Sequence, residues 1–452
     1  MKKSLLSALT AALILAACSQ SDGVKSITTA ELASHLNDPA YVIIDARDDS
    51  LFNGFKENGA KRGGHVAGAV QFSSTWLGRI DDDKFISFAA AKGITKDKTL
   101  IIYDTDPDAL ARVAAEFKAR GYKVASYDKF IEYANDESLP MQSYANYELA
   151  VSAKWLKARL DEPNPPKIYE VSWGSVEKSA AYLSHIVEAY HFDTDLIEAD
   201  PVWNLRPLNE IRANLASIGI AADTPVVLYS ANQLAALRVL FALKYAGVKD
   251  VRFLNGSIYA WQELGYPVET KVNTPAPLPS FGEAAANLNI NVSMPDDVIK
   301  MQKSVGLKLV SNRSWDEYVG KISGYDYIPG KGEPAGAIWG FAGSDSSNVA
   351  DYYDPDDTLR NPDEIFALWQ SQGINSDDYV AFYCGTGWRA SVSWFMTELA
   401  GWKHAYVYDG GWNAWQMHSR YPVQLGAPNG ASKPDSGNDY GKVYKAGGSC
   451  RG

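Results

Sequence analysis

Three times along the chain, a strand-length run of apolar residues gives way to turn residues and then to a stretch whose apolar positions recur at helical spacing. The first unit opens with Tyr41-Val-Ile-Ile-Asp45-Ala-Arg47, passes Gly64-His65-Val-Ala-Gly68-Ala-Val70 and has a second apolar run at Thr99-Leu-Ile-Ile-Tyr103. The second opens with Lys167-Ile-Tyr-Glu170-Val171, passes Ser184-His185-Ile-Val-Glu-Ala189 and reaches Thr224-Pro-Val-Val-Leu-Tyr229. The third opens with Leu307-Lys-Leu-Val310-Ser-Asn-Arg313, passes Gly336-Ala337-Ile-Trp339 and reaches Asp378-Tyr-Val-Ala-Phe-Tyr383. Nearly continuous apolar strands alternating with helical segments predict an α/β fold class: three tandem units, each a mostly parallel sheet covered by helices.

The unit ends agree as well. Leu254-Asn-Gly256-Ser-Ile-Tyr-Ala260-Trp261 with Tyr266-Pro267-Val268 echoes Tyr408-Asp-Gly410-Gly-Trp-Asn-Ala414-Trp415 with Tyr421-Pro422-Val423. Shifts in composition divide the chain into units at 24–145, 146–272 and 290–426. A semi-rigid linker at 273–289 carries Pro275, Pro277 and Pro279, and a tail at 427–452, rich in Gly, Ser, Asp and Asn, is expected to be flexible.

The 452 residues are 46% hydrophobic and 21% charged, enough apolar material for about three ordinary domains. A balance of 43 basic against 54 acidic residues gives a net charge of -11, without a long Lys/Arg run to follow a phosphate backbone, so nucleic acid is not an expected partner. At the N-terminus, Lys2 and Lys3 precede an apolar stretch from Leu5 to Ala17, the layout of a secretion signal too short to span a bilayer. Leu15-Ala16-Ala17-Cys18 resembles a bacterial lipobox. Residues 1–18 thus read as a lipoprotein-type signal with Cys18 as the lipidated residue, and the resemblance implies a periplasmic protein tethered to the outer membrane by acyl chains. Plain secretion with an incidental Cys18 is the alternative. Only Cys18, Cys384 and Cys450 occur, which is no disulfide framework, and with the six histidines they show no short ligand spacing, so no metal or other cofactor is expected.

One cysteine has a context that carries chemistry. Val380-Ala-Phe-Tyr383-Cys384-Gly385-Thr386-Gly387-Trp388-Arg389-Ala390-Ser391 puts Cys384 where an apolar strand ends and a helix begins. At the carboxyl end of a parallel strand, a Gly-containing loop turns backbone N–H groups inward while the next helix aims its positive end at the same spot. An ordinary thiol is mostly protonated at neutral pH; loop dipoles and the fixed charge of Arg389 would favour the nucleophilic thiolate. The alternative is an inert buried cysteine beside a surface arginine.

Loop length separates two families that use such a cysteine. Cysteine-dependent phosphatases show His-Cys, five residues and Arg; here four residues separate Cys384 from Arg389, and Tyr383 stands where the histidine would be. The Cys384–Ser391 segment resembles the active-site loop of rhodaneses. The resemblance covers nearly the whole mature chain and is close to bacterial periplasmic three-domain rhodaneses described as thiosulfate sulfurtransferases. It implies three rhodanese-like domains with the chemistry in the third. The Cys384 thiolate would attack the outer sulfur of thiosulfate, sulfite would leave, and the persulfide would pass to cyanide or an acceptor thiol, including one on a protein. Arg389 would hold the anionic donor, and the amides of Gly385, Thr386, Gly387 and Trp388 would cradle the persulfide. Trp388 either walls the pocket or packs the loop onto the domain. Arg313 matches the arginine of the family's Asp-x-Arg element, although Ser311 and Asn312 depart from its usual acid. It is either a substrate-binding or loop-orienting residue or a structural ion pair with Asp316 or Glu317. Ser391 is expected to cap the following helix.

At the equivalent strand ends the first unit reads Tyr103-Asp104-Thr105-Asp106-Pro107 and the second Tyr229-Ser230-Ala231-Asn232-Gln233, without a thiol. Both read as inactive copies that shape the donor pocket or offer a docking surface. The insert from Gly340 to Arg360 is either a lid or a passive surface loop. Cys450 is either an unpaired tail thiol or one that reaches Cys384. Two other readings of the whole stand beside the sulfurtransferase: a persulfide carrier that works only with a partner protein, and a cysteine-dependent phosphatase.

Overall fold

The computed structural model describes residues 23–441. The signal at 1–18 with Cys18, and Cys450, lie outside the described residues. Three five-stranded sheets share one strand order. In the first, Lys25–Ser26, Lys123–Tyr127, Thr99–Tyr103, Tyr41–Asp45 and Val70–Gln71 lie side by side. In the second the order is Ala150–Val151, Val251–Leu254, Val226–Tyr229, Lys167–Ser172 and Tyr190–Asp193. In the third it is Asn291–Val292, Ala405–Tyr408, Val380–Tyr383, Lys308–Ser311 and Ile338–Trp339. All neighbouring strands of these sheets run parallel. The central strands are apolar on both faces because helices cover both. A short antiparallel clasp closes each unit: His65–Val66 with Met141–Gln142, His185–Ile186 with Val268–Glu269, and Glu333–Pro334 with Val423–Gln424.

The second and third units share one core. The helix Leu234–Ala246 is buried at every position except Lys244 and Tyr245, and Trp388–Ala400 at every position except Glu398 and Ala400. A helix apolar all round needs a partner on each side. Each of these packs on its own sheet and on the other helix, where Phe241 meets Trp394 edge to face at 5.1 Å, and Phe395 also meets Phe253 of the second unit's sheet at 5.7 Å. Such pairs contribute about 0.5–1.5 kcal/mol beyond the area they bury. The packing sets the start of the Trp388 helix, and with it the Cys384 loop, against the second unit.

The proline-containing segment 273–289 lies on the second unit as a strap. Phe281 is buried, Leu278 N–H donates to Ala216 O at 2.8 Å, and Ala222 N–H donates to Phe281 O at 2.9 Å. The tail differs from expectation as far as residue 441. Ser436 Oγ donates to Asp351 at 2.5 Å, Asn438 Nδ2 donates to Ala350 O and Tyr353 O at 2.8 Å each, and Tyr440 is buried against Phe88 of the first unit. Its polar composition hid one aromatic anchor and a set of backbone acceptors waiting for it. No helix among the described residues is long and apolar enough to cross a membrane.

Candidate active site

The central strand Val380–Tyr383 of the third sheet delivers Cys384 at its carboxyl end, and the Trp388 helix begins four residues on. Cys384 is 1% exposed and is the free cysteine of the described residues. It lies at the base of a cleft whose free space for the centre of a water-sized body is about 20 Å3. Room of that size holds one or two small atoms beyond the sulfur. Thr386, Trp388, Arg389, Tyr325, Tyr327 and Ser346 of the third unit line the cleft together with Glu198 and Trp203 of the second.

The loop is held by its carbonyls. Trp412 N–H donates to Cys384 O at 2.8 Å and Asn413 N–H to Gly385 O at 3.1 Å, both from the first turn of the helix Gly411–Gln416. Taking up the carbonyls there leaves amides, the groups that suit an anionic sulfur, to the loop's other face. Gly387 has φ +94°, the left-handed region that a Cβ resists, and initiates the helix. Gly385 is required by proximity: a Cβ there would stand 2.3 Å from the Tyr325 ring, whose hydroxyl accepts from Gly385 N–H at 3.0 Å.

Beneath the loop lies a buried ionic network. Glu317 receives Arg389 in a fork, Nη1 to Oε2 and Nη2 to Oε1 at 2.9 Å each, and also faces Arg313 Nε at 3.3 Å. Burial by itself would raise the Glu317 pKa, but the two arginines pull it to about 2. Arg389 Nη2 donates further to Tyr325 OH at 2.5 Å and Nη1 to Asp345 O at 3.2 Å. Arg389 therefore borders the cleft with its guanidinium largely committed to fixing the loop.

Arg313 does not line the cleft. It is fully buried, and Glu333 at 2.7 Å, Gly332 O at 2.6 Å and Ser323 O at 2.7 Å take its remaining donors. Of the two acids its spacing offered, Glu317 is the partner, while Asp316 pairs with Lys321. Ser391 also departs from expectation. It lies inside the helix and its hydroxyl donates back to Gly387 O at 2.9 Å, because Gly387 rather than a hydroxyl residue begins the helix. The insert Gly340–Arg360 is neither a free lid nor a passive loop. Val349, Tyr352, Tyr353 and Asp354 are buried, and Asp345 and Ser346 reach the cleft.

Glu333, Tyr325, Tyr327, Glu198 and Trp203 escaped the sequence reading. Glu333 accepts a very short hydrogen bond from Tyr383 OH, and burial raises its pKa to about 7 against the pull of Arg313. A carboxyl that the folded protein keeps protonated up to about pH 7, against 4.5 in the unfolded chain, makes folding favour the proton. Its cost is absent below about pH 4.5, grows as pH rises to about 7 and is constant above, reaching about 3 kcal/mol. Glu333→Gln is expected to flatten the fall in denaturant midpoint between about pH 4.5 and 7 compared with the unsubstituted protein. Equal falls in the two proteins would remove Glu333 as a source of the slope.

The strand ends of the other two units are filled by their own side chains. Asp104 Oδ1 accepts from Asp106 N–H at 2.9 Å, and Ser230 Oγ accepts from Ala236 N–H at 3.0 Å. Neither unit presents a thiol there.

The model of the rhodanese-like domain matches residues 28–134, 152–264 and 294–418. The thiosulfate sulfurtransferase YnjE of Escherichia coli is 34% identical over 399 residues, covering 85% of this chain and 88% of that protein. The sulfur carrier protein TtuD of Thermus thermophilus is 32% identical over 292 residues, 63% of this chain and 99% of that protein. Among solved structures, wild-type EanB superposes with a TM-score of 0.84 at 32% identity, covering 90% of this chain and 98% of that one. A variant of EanB, solved in complex with ergothioneine covalently linked with a persulfide cysteine, superposes equally well. A thrice-repeated sheet, a single thiol at the end of the third central strand and these matches agree: the chain belongs to the rhodanese family and is a three-domain sulfurtransferase.

Proposed function

We propose that the protein moves the sulfane sulfur of thiosulfate to cyanide or an acceptor thiol through a persulfide on Cys384. One observation carries the reading: a buried cysteine at the base of a cleft with room for little more than one added sulfur. The Cys384 thiolate attacks the outer sulfur of thiosulfate, the S–S bond to the sulfonate breaks, and sulfite leaves with the electron pair. The persulfide then gives its outer sulfur to the acceptor and returns the thiolate. The amides of Thr386 to Trp388 cradle the terminal sulfur, the Gly385 N–H being taken by the Tyr325 hydroxyl; Thr386 and Trp388 wall it, and Arg389 offers positive charge at the cleft edge while Glu317 holds it in place. Relatives named thiosulfate sulfurtransferase, in Escherichia coli, Corynebacterium glutamicum and mouse, support the donor.

A second reading, a persulfide carrier served by a partner protein, is favoured by the narrowness of the cleft and by the relative named a sulfur carrier protein. Thiocyanate formation from thiosulfate and cyanide separates the two. Steady turnover with free thiosulfate supports the enzyme. Turnover that appears only when a partner supplies the sulfur supports the carrier. Hercynine, which EanB binds, belongs in the same acceptor screen, because Trp203, Trp388, Tyr325 and Tyr327 give the cleft an aromatic wall.

A further inference from the structure

The catalytic loop touches a second arginine that belongs to the other half of the core. Arg238 sits in the helix Leu234–Ala246 of the second unit and is fully buried. Its Nη2 donates to Asp409 Oδ1 of the third unit at 2.6 Å, and its Nε donates to Glu198 Oε2 of the second at 3.1 Å. Both acids lead to the Cys384 loop. Asp409 directly follows the strand Ala405–Tyr408 and stands two residues before the helix whose amides hold the carbonyls of Cys384 and Gly385. Its other oxygen accepts Leu205 N–H of the second unit at 2.7 Å. Glu198 accepts the indole N–H of Trp388, the residue that begins the helix after the loop, at 2.9 and 3.1 Å.

Arg238 also meets the loop backbone. A Cβ on Gly387 would stand 2.7 Å from Arg238 Nη1, a nitrogen that is buried without a hydrogen-bond partner. Arginine is costly to bury, and the helix around it is otherwise apolar apart from Lys244 near its end, so its place calls for a return. The geometry supplies one: a single planar fork joins both sides of the loop's support, which a point-charge lysine cannot do.

We propose that Arg238, with Glu198 and Asp409, is a positioning clamp through which the second unit sets the conformation of the Cys384 loop. The unit that lost its own thiol is then a working part of the third unit's active site. Arg238 touches no substrate; it acts through Trp388 and through the helix that follows Asp409. The proposal goes beyond the sulfurtransferase reading and is tested by a measurement that does not depend on it.

The test compares the full-length protein with Arg238→Lys, reading the rate of Cys384 alkylation by iodoacetamide below the unfolding transition, then kcat and KM for thiosulfate. A loop displaced by a fraction of an ångström is expected to slow alkylation about tenfold and to lower kcat by a similar factor at unchanged KM. A merely structural arginine would lower the unfolding midpoint and leave both rates alone, and that result overturns the proposal. Should the protein fail to turn over thiosulfate at all, the alkylation rates still decide. Should Arg238→Lys not fold, Asp409→Asn weakens the tie to Arg238 without changing the lining of the cleft. Alkylation slowed about threefold or more supports the clamp, and an unchanged rate overturns it.

Discussion

Cys384→Ser is expected to abolish sulfur transfer, with turnover falling by on the order of 10³-fold or more, while the fold and its unfolding midpoint stay close to those of the unsubstituted protein. The substitution replaces one small side chain by another at a site 1% exposed, in a loop fixed by Trp412, Asn413 and Tyr325 rather than by the sulfur. What it removes is the reacting atom. A serine hydroxyl is a weak nucleophile without an adjacent base, and the polar groups around Cys384 include an arginine committed to Glu317, two tyrosines, amides and a Glu198 carboxylate already taken by Arg238 and the Trp388 indole. The chain already contains the comparison: Ser230 occupies the same strand end in the second unit, where its hydroxyl merely accepts Ala236 N–H. Turnover by Cys384→Ser within a few-fold of the unsubstituted protein would take the chemistry away from this loop.

The second large effect is expected at Glu317, whose replacement by glutamine should cost about 3–5 kcal/mol and disable the site at the same time. Glutamine keeps the shape but turns an N–H₂ donor toward guanidinium groups that are donors themselves, leaving Arg313 and Arg389 buried with too little negative charge. It also weakens the reciprocal cap in which Glu317 Oε2 accepts Ser314 N–H at 2.9 Å. The sign with pH follows from the lowered pKa. A carboxyl at about 2 in the folded protein, against 4.5 unfolded, contributes stability that is complete above about pH 4.5 and is lost as pH falls toward 2. The difference in denaturant midpoint between the two proteins should therefore be largest near neutrality and shrink below about pH 4. A difference of the same size at acidic and neutral pH would contradict an ionic origin.

Much of this architecture is legible in the sequence because it is written locally and three times over. Strand-length apolar runs fix the parallel sheets, and Cys384 between Tyr383 and Gly385 marks the strand-to-helix turn without any knowledge of what surrounds it. The supports of that turn are a different matter. Glu317 is half visible, since Ser314-x-x-Glu317 reads as a capping box and places the acid one helical turn from Arg313. Glu198 and Asp409 reach their partners across 190 and 171 residues, distances at which spacing carries no signal. Arg238 is visible only as an anomaly, a lone guanidinium in the middle of Leu-Ala-Ala-Leu-Arg-Val-Leu-Phe-Ala-Leu. Tyr440 fails for the opposite reason: one aromatic in a polar tail looks incidental until the groove on the first unit that receives it is known.

The central claim, covalent transfer of sulfur through Cys384, is tested most directly by the intact mass of the reduced, folded protein before and after thiosulfate, with Cys384→Ser alongside. A gain of one sulfur, roughly 32 Da, is expected, erased by cyanide and absent from the serine variant. A gain that persists in the serine variant, or none in the unsubstituted protein, would contradict that claim.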